Sequence, residues 1–113
     1  MASANIDIVC MGEAMVEFTR MNRSKGEALY IRGLGGDTSN CAISAARQGV
    51  KVAYLSAVGD DQFGKIAIDT WLTEGIDVSQ VFVDPNSPTG IYFIDPVPKG
   101  RNFTYYRLSL IHI

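Results

Sequence analysis

The chain has 113 residues, 47% hydrophobic and 19% charged, with a formal net charge of −2. These values describe a folded domain with its own core and exclude a disordered chain. No basic tract is present, which argues against nucleic acid and acidic membrane surfaces as partners. Cys10 and Cys41 are the only cysteines, and both sit in apolar stretches. They read as two reduced, buried thiols rather than a disulfide or metal site. His112 is the only histidine, so a histidine-rich metal site is excluded. Nothing approaches a membrane-spanning length and no leader pattern is evident, so a cytoplasmic protein is expected.

Residues 6–11 form an apolar run that reads as a buried strand ending at Gly12. Residues 13–19 continue as a second extended segment leaving the sheet, and residues 21–27 read as a turn. A short strand over residues 29–32 delivers the chain to Gly33-Leu34-Gly35-Gly36-Asp37-Thr38-Ser39-Asn40. This glycine-rich turn runs into a helix whose face carries Ala42, Ile43, Ala45 and Ala46. Asp37, Thr38, Ser39 and Asn40 are all candidate N-caps, and Gly49 closes the helix. A polar helix start with free backbone N–H groups suits a small hydroxylated or anionic ligand, and an ordinary capped βα turn is the competing reading.

Residues 52–58 predict another buried strand, followed by a turn and cap at Gly59-Asp60-Asp61. Phe63, Ile66, Ala67, Thr70 and Trp71 recur at helical spacing, which predicts a helix over residues 62–74 closed by Gly75. Lys65 and Asp69 are placed to pair across one turn. Residues 78–83 predict a strand and residues 84–88 a turn. Two further strands, residues 89–95 and 102–108, are expected as a hairpin with a longer loop containing Pro96, Pro98 and Gly100. Strands alternating with helices imply an α/β fold built on a mostly parallel sheet. So few helices would leave sheet faces bare, so the chain is expected to be the first part of a larger domain.

Two common phosphate-binding loops do not fit. Thr38 stands where a dinucleotide fingerprint needs its third glycine. Gly59-Asp60-Asp61-Gln62-Phe63-Gly64-Lys65-Ile66 approaches a P-loop, but Ile66 lacks the required hydroxyl. Asp60 and Asp61 would also repel phosphates. These two acids read as helix caps rather than catalysts.

Several elements together resemble the N-terminal part of the ribokinase-like (PfkB) sugar kinases. They are Gly12-Glu13, Gly35-Gly36-Asp37-Thr38-Ser39-Asn40-Cys41-Ala42, Ala46-Arg47-Gln48-Gly49, Val58-Gly59-Asp60-Asp61-Gln62-Phe63-Gly64 and Thr89-Gly90. Gly12-Glu13-Ala14-Met15-Val16-Glu17 and Tyr105-Tyr106-Arg107 look most like the 2-keto-3-deoxygluconate kinases, with fructokinases the nearest competitor.

The resemblance implies a doubly wound, mostly parallel α/β sheet with a small β lid. Residues 1–113 would be the N-terminal part of one kinase domain, with lid segments at about 18–32 and 89–108. It implies sugar-binding roles for Gly36, Asp37, Thr38, Ser39 and Asn40 in the turn. Tyr92, Tyr105 and Arg107 would contact substrate from the lid, and Arg107 suits a sugar-acid carboxylate. Packing or a subunit interface is the alternative for the tyrosines, and a solvated strand charge for Arg107. Glu17 matches a sugar-binding acid of many relatives, yet it would repel a carboxylate.

Family members use ATP and Mg2+, bound in the C-terminal half, and a catalytic Asp in a second motif. Nothing in this chain matches either, so no catalytic, cofactor or metal residue is assigned, and the chain alone is expected not to transfer phosphate. The expected partners are a sugar or sugar acid and a second copy through the lid strands. A non-catalytic product that binds sugar or pairs with a full-length subunit is the competing class.

Overall fold

The computed structural model describes residues 5–21 and 28–107. In chain order the elements are β1 (Ile8–Met11), β2 (Met15–Met21), β3 (Leu29–Gly35), α1 (Asp37–Arg47) and β4 (Val52–Gly59). They continue as α2 (Gln62–Thr73), β5 (Val81–Asp84), β6 (Ile91–Val97) and β7 (Gly100–Tyr106). Two sheets result. One is parallel with order β1-β4-β5, and the other has order β3-β2-β6-β7. In the second sheet β2 and β6 run parallel, while β3 and β7 flank them antiparallel.

The helices pack on the parallel sheet because their small and aromatic positions share a face. Ala42 of α1, Ala67 and Trp71 of α2, and Val52, Tyr54 and Val58 of β4 belong to one buried cluster. Trp71 and Tyr54 meet edge to face, with ring centroids 4.7 Å apart. The buried indole N–H donates to Ser39 Oγ at 2.9 Å, which satisfies a polar group that would otherwise be costly to bury. The second sheet has a smaller core of Met15, Tyr92 and Ile94. On its opposite face Phe18 stacks on Phe93 and meets Phe63 of α2 edge to face.

Several expectations are corrected. β1 is an edge strand, and Val9 and Met11 are more than half exposed, so its apolar run is not a buried one. β3 continues to Gly35, because pairing with β2 extends through Met15 opposite Gly35. β5 starts at Val81 because Val78 and Val81 close a turn, with Val81 N–H donating to Val78 O. The β6–β7 hairpin is tight: Val97 pairs with Gly100, and Gly100 takes φ 116°. Pro96 therefore lies inside β6 rather than in a loop. Lys65 and Asp69 form no ion pair among those of the described residues. Cys41 is exposed, although Cys10 is buried. Residues 22–27, most of the turn expected over residues 21–27, and the end of the last expected strand at Leu108 lie outside the described residues.

Asp61 caps α2, as the sequence indicated, while Asp60 is exposed and takes no part in the cap. Asp61 Oδ1 accepts from Gly64 N–H at 2.8 Å and from the Thr89 hydroxyl at 2.7 Å. Its Oδ2 accepts from Thr89 N–H at 3.0 Å. Thr89 Oγ1 in turn accepts from Gly59 N–H at 2.8 Å. Partial burial alone would raise the Asp61 pKa, but the hydrogen bonds from Thr89, Gly64 and Phe63 outweigh it and hold the carboxyl below its ordinary value. The stabilisation is therefore complete above the ordinary carboxylate pKa and is lost as pH falls through the lowered one. Asp61→Ala is expected to lower stability by about 1–2 kcal/mol at neutral pH, with a smaller deficit in acid, read from urea unfolding at both pH values.

Candidate functional site

β1 runs through Gly12 to Glu13 at the rim of an open cleft of about 620 Å³. The start of α1 forms the floor with Gly36, Asp37 and Thr38. One face of the second sheet forms the wall. Register explains why: Glu17 lies opposite Tyr92, and Tyr92 opposite Tyr105, so alternation puts all three on the same face.

Gly36 makes the floor passable. It is the N-cap of α1, with φ 118° and no side-chain cap, so none of the four polar residues expected to cap the helix does so. A Cβ at Gly36 would also come within 2.8 Å of the Glu13 carbonyl oxygen. Only glycine meets both the backbone angle and this approach without strain.

Tyr92 donates to Glu17 Oε1 at 2.5 Å. Burial first, and then the Glu17 carboxylate, push the Tyr92 phenol well above its ordinary pKa, so it remains a neutral donor. Its ring stacks on Tyr105 at 5.5 Å. The Arg107 guanidinium lies over the other part of this stack, 5.5 Å from the Tyr105 centroid. Arg107 Nη1 is 3.5 Å from Glu13 Oε1 and 3.8 Å from Met15 Sδ. Its side chain is half exposed, whereas Glu13 keeps 16% of its accessible surface. Glu13 Oε2 is buried without a hydrogen-bond partner. Burial raises the Glu13 pKa, and Arg107 opposes this in part. The Thr38 hydroxyl is held by Tyr54 Oη at 2.7 Å.

Of the residues singled out from sequence, Gly36, Asp37, Thr38, Tyr92, Tyr105 and Arg107 line one cleft. Ser39 does not reach it, because its side chain is fully buried and bonded to Trp71. Asn40 is exposed on α1 and does not line it. Sequence reasoning gave no role to Glu13, Met15 or Phe103, which do line it. Two-residue alternation back from Glu17 and Tyr105 was the signal for Met15 and Phe103. The Gly12-Glu13 element flagged Glu13 without assigning it a role, because its burial depends on Arg107 and Gly90 meeting it. A second hollow of about 560 Å³ lies beyond β7, walled by Phe63, Ile91 and Tyr106. Its Asp61 and Thr89 are already bonded to each other.

Among the described residues no three His, Cys, Asp or Glu side chains converge to hold a metal. Asp60 and Asp61 occupy the loop that most resembles a phosphate cradle, and Asp61 is engaged there by Gly64 and Thr89.

The arrangement is that of the ribokinase-like α/β sugar kinases. Fructokinase from Xylella fastidiosa with bound ATP superposes with a TM-score of 0.84 at 26% identity, covering 88% of this chain and 32% of that one. A PfkB protein from Polaromonas sp. JS666 gives a TM-score of 0.83 at 31% identity, covering 91% and 35%. The family model described as pfkB family carbohydrate kinase matches residues 5–111, and the chain belongs to that family. Similar curated proteins include a 2-dehydro-3-deoxygluconokinase from Thermoproteus tenax, 34% identical over 94% of this chain and 34% of the relative. Another, a 5-dehydro-2-deoxygluconokinase from Clostridium tetani, is 35% identical over 93% and 32%. The chain thus spans about a third of the length of these relatives.

The Gly36 geometry has a direct consequence. Gly36→Ala is expected to cost about 1–3 kcal/mol from backbone strain and to separate Glu13 from the start of α1. The checks are thermal unfolding and sugar titration of the same sample.

Proposed function

We propose that this chain is the sugar-binding portion of an ATP-dependent kinase for 2-dehydro-3-deoxygluconate (2-keto-3-deoxygluconate), a sugar acid. The observation that carries the reading is Arg107, half exposed and stacked on Tyr105 at the edge of a hydroxyl-lined cleft. A guanidinium so placed can take a carboxylate through two parallel charge-assisted hydrogen bonds. Glu13 positions Arg107 while the cleft is empty. Substrate hydroxyls are served by Asp37 and by backbone N–H groups at the start of α1, where Gly36 lets a ligand approach. The Tyr92–Tyr105 stack supplies a flat wall against the carbon chain.

In this reading the sheet of β2, β3, β6 and β7 is a lid over the sugar, and its edges pair with a second copy. Such a kinase works in the cytoplasm, where ATP is supplied. ATP with Mg2+ would furnish the phosphoryl group, and these residues hold and orient the accepting sugar, which lowers the entropic part of the barrier.

A fructokinase is the second reading. Its support is the set of carboxylates around the cleft, Glu13, Glu17 and Asp37, which suits neutral hydroxyls better than an anion. Calorimetric titration with 2-dehydro-3-deoxygluconate and with fructose separates the two. The sugar acid is expected to bind more tightly. Arg107→Ala should weaken it by about 1.5–3 kcal/mol, roughly 10- to 150-fold, with little effect on fructose. Tighter binding of fructose, or equal losses for both sugars, would favour the neutral-sugar kinase.

A further inference from the structure

The two cysteines, which the sequence kept apart as buried thiols, meet. Cys10 Sγ on β1 lies 4.0 Å from Cys41 Sγ on α1, across a sequence separation of 31 residues. One member is buried and the other is open to solvent. That asymmetry is what a peroxide-responsive pair requires: an accessible thiol to be oxidised and a sheltered thiol beside it to close the bond. A disulfide needs its sulfurs about 2.05 Å apart, so the two sulfurs must close by about 2 Å, through side-chain rotation and approach of α1 to β1.

We infer that Cys10 and Cys41 form an oxidation site that takes hydrogen peroxide or another hydroperoxide and closes a disulfide between β1 and α1. The Cys41 thiolate attacks the peroxide oxygen, breaking the O–O bond, and becomes a sulfenic acid, while the leaving hydroxide takes the proton Cys41 gave up and departs as water. The Cys10 sulfur then attacks Cys41 Sγ. The S–S bond forms, the S–O bond breaks, and the Cys10 proton leaves with the hydroxide as a second water. Each thiol loses one hydrogen and the peroxide is reduced to two waters. Burial and the neighbouring thiol keep the Cys10 proton in place beforehand, which assigns the first attack to Cys41.

The bond acts on a sensitive place. Cys41 lies two residues beyond Ser39, whose hydroxyl holds the indole of Trp71. Trp71 is the only tryptophan in the sequence and is fully buried. It therefore reports any shift of α1 against α2. The same two elements, β1 and α1, lead into Glu13 and Gly36 on the cleft rim, so the disulfide re-sets the geometry of the cleft floor.

The test needs no sugar and is independent of the kinase reading. The whole chain is treated with hydrogen peroxide, and thiols are counted by maleimide labelling under denaturing conditions. Both thiols are expected to disappear, with a Cys10–Cys41 cross-linked peptide lighter by two hydrogens, and dithiothreitol should restore them. Trp71 emission should change in step and recover on reduction. Cys10→Ser should leave Cys41 stranded as a sulfenic or sulfinic acid, with no linked peptide and no Trp71 response. A Cys10 thiol that stays free in the treated wild type would overturn the site. A Cys41–Cys41 bond between two chains would do the same. A linked peptide with unchanged Trp71 emission would overturn the claim that the bond moves α1.

Discussion

The Asp61 carboxylate accepts hydrogen bonds from the start of α2 and from both polar groups of Thr89. Through the Thr89 hydroxyl, which accepts from Gly59 N–H, the same joint reaches the end of β4. Thr89 then leads into Gly90, whose carbonyl accepts from Val16 N–H of β2. One side chain therefore fixes where the parallel sheet stops, where α2 begins and where the chain crosses into the second sheet. The two sheets also meet where Leu34 of β3 packs against the buried cluster of the parallel sheet, where Arg107 reaches Glu13, and where Phe63 rests against Phe18. Partial burial makes the joint specific, because any of these donors left unpaired would carry its full desolvation cost.

From that joint Thr89 and Gly90 lead into β6, which carries Tyr92 to the wall of the cleft. The cleft wall is aromatic and its floor is backbone, so one side offers flat contact and the other hydrogen bonds. Close approach is purchased with missing side chains. Tyr92 lies where a Cβ on Gly35 would clash, and Thr38 packs against Gly12. The glycines are thus part of the site's shape.

Sequence made the local features legible. The cap at Asp61, the helical spacing from Phe63 to Trp71 and the closing glycines Gly49 and Gly75, both at positive φ, are each set within a few residues of chain. What escaped depends on partners distant in sequence. Val9 and Met11 are exposed because they alternate away from Cys10, whose side of the sheet is the one α1 covers. Cys41 reads as a core residue by its alanine neighbours, yet the helix turns it outward. Of the candidates read from sequence, Gly36, Asp37 and Thr38 of the glycine turn and Tyr92, Tyr105 and Arg107 do line one cleft. Ser39 showed how a good hydroxyl can be committed to the core instead, since only the fold brings Trp71 to it. Glu13 was hidden for the opposite reason: its environment is made by Arg107, nearly the whole chain away.

The ladder between β2 and β6 ends at Thr19 opposite Ile94, while the β6–β7 hairpin runs on through Pro96 opposite Arg101 to Val97 opposite Gly100. Pro96 has no N–H to offer a further strand. Among the described residues, the Arg20–Asp95 ion pair is what ties the hairpin to β2 beyond Ile94, so the tip projects from a root at Tyr92 and Ile94 like a cantilever. Phe103, opposite Ile94, sits at that root and also lines the cleft wall, so the projecting tip and the cleft share one residue.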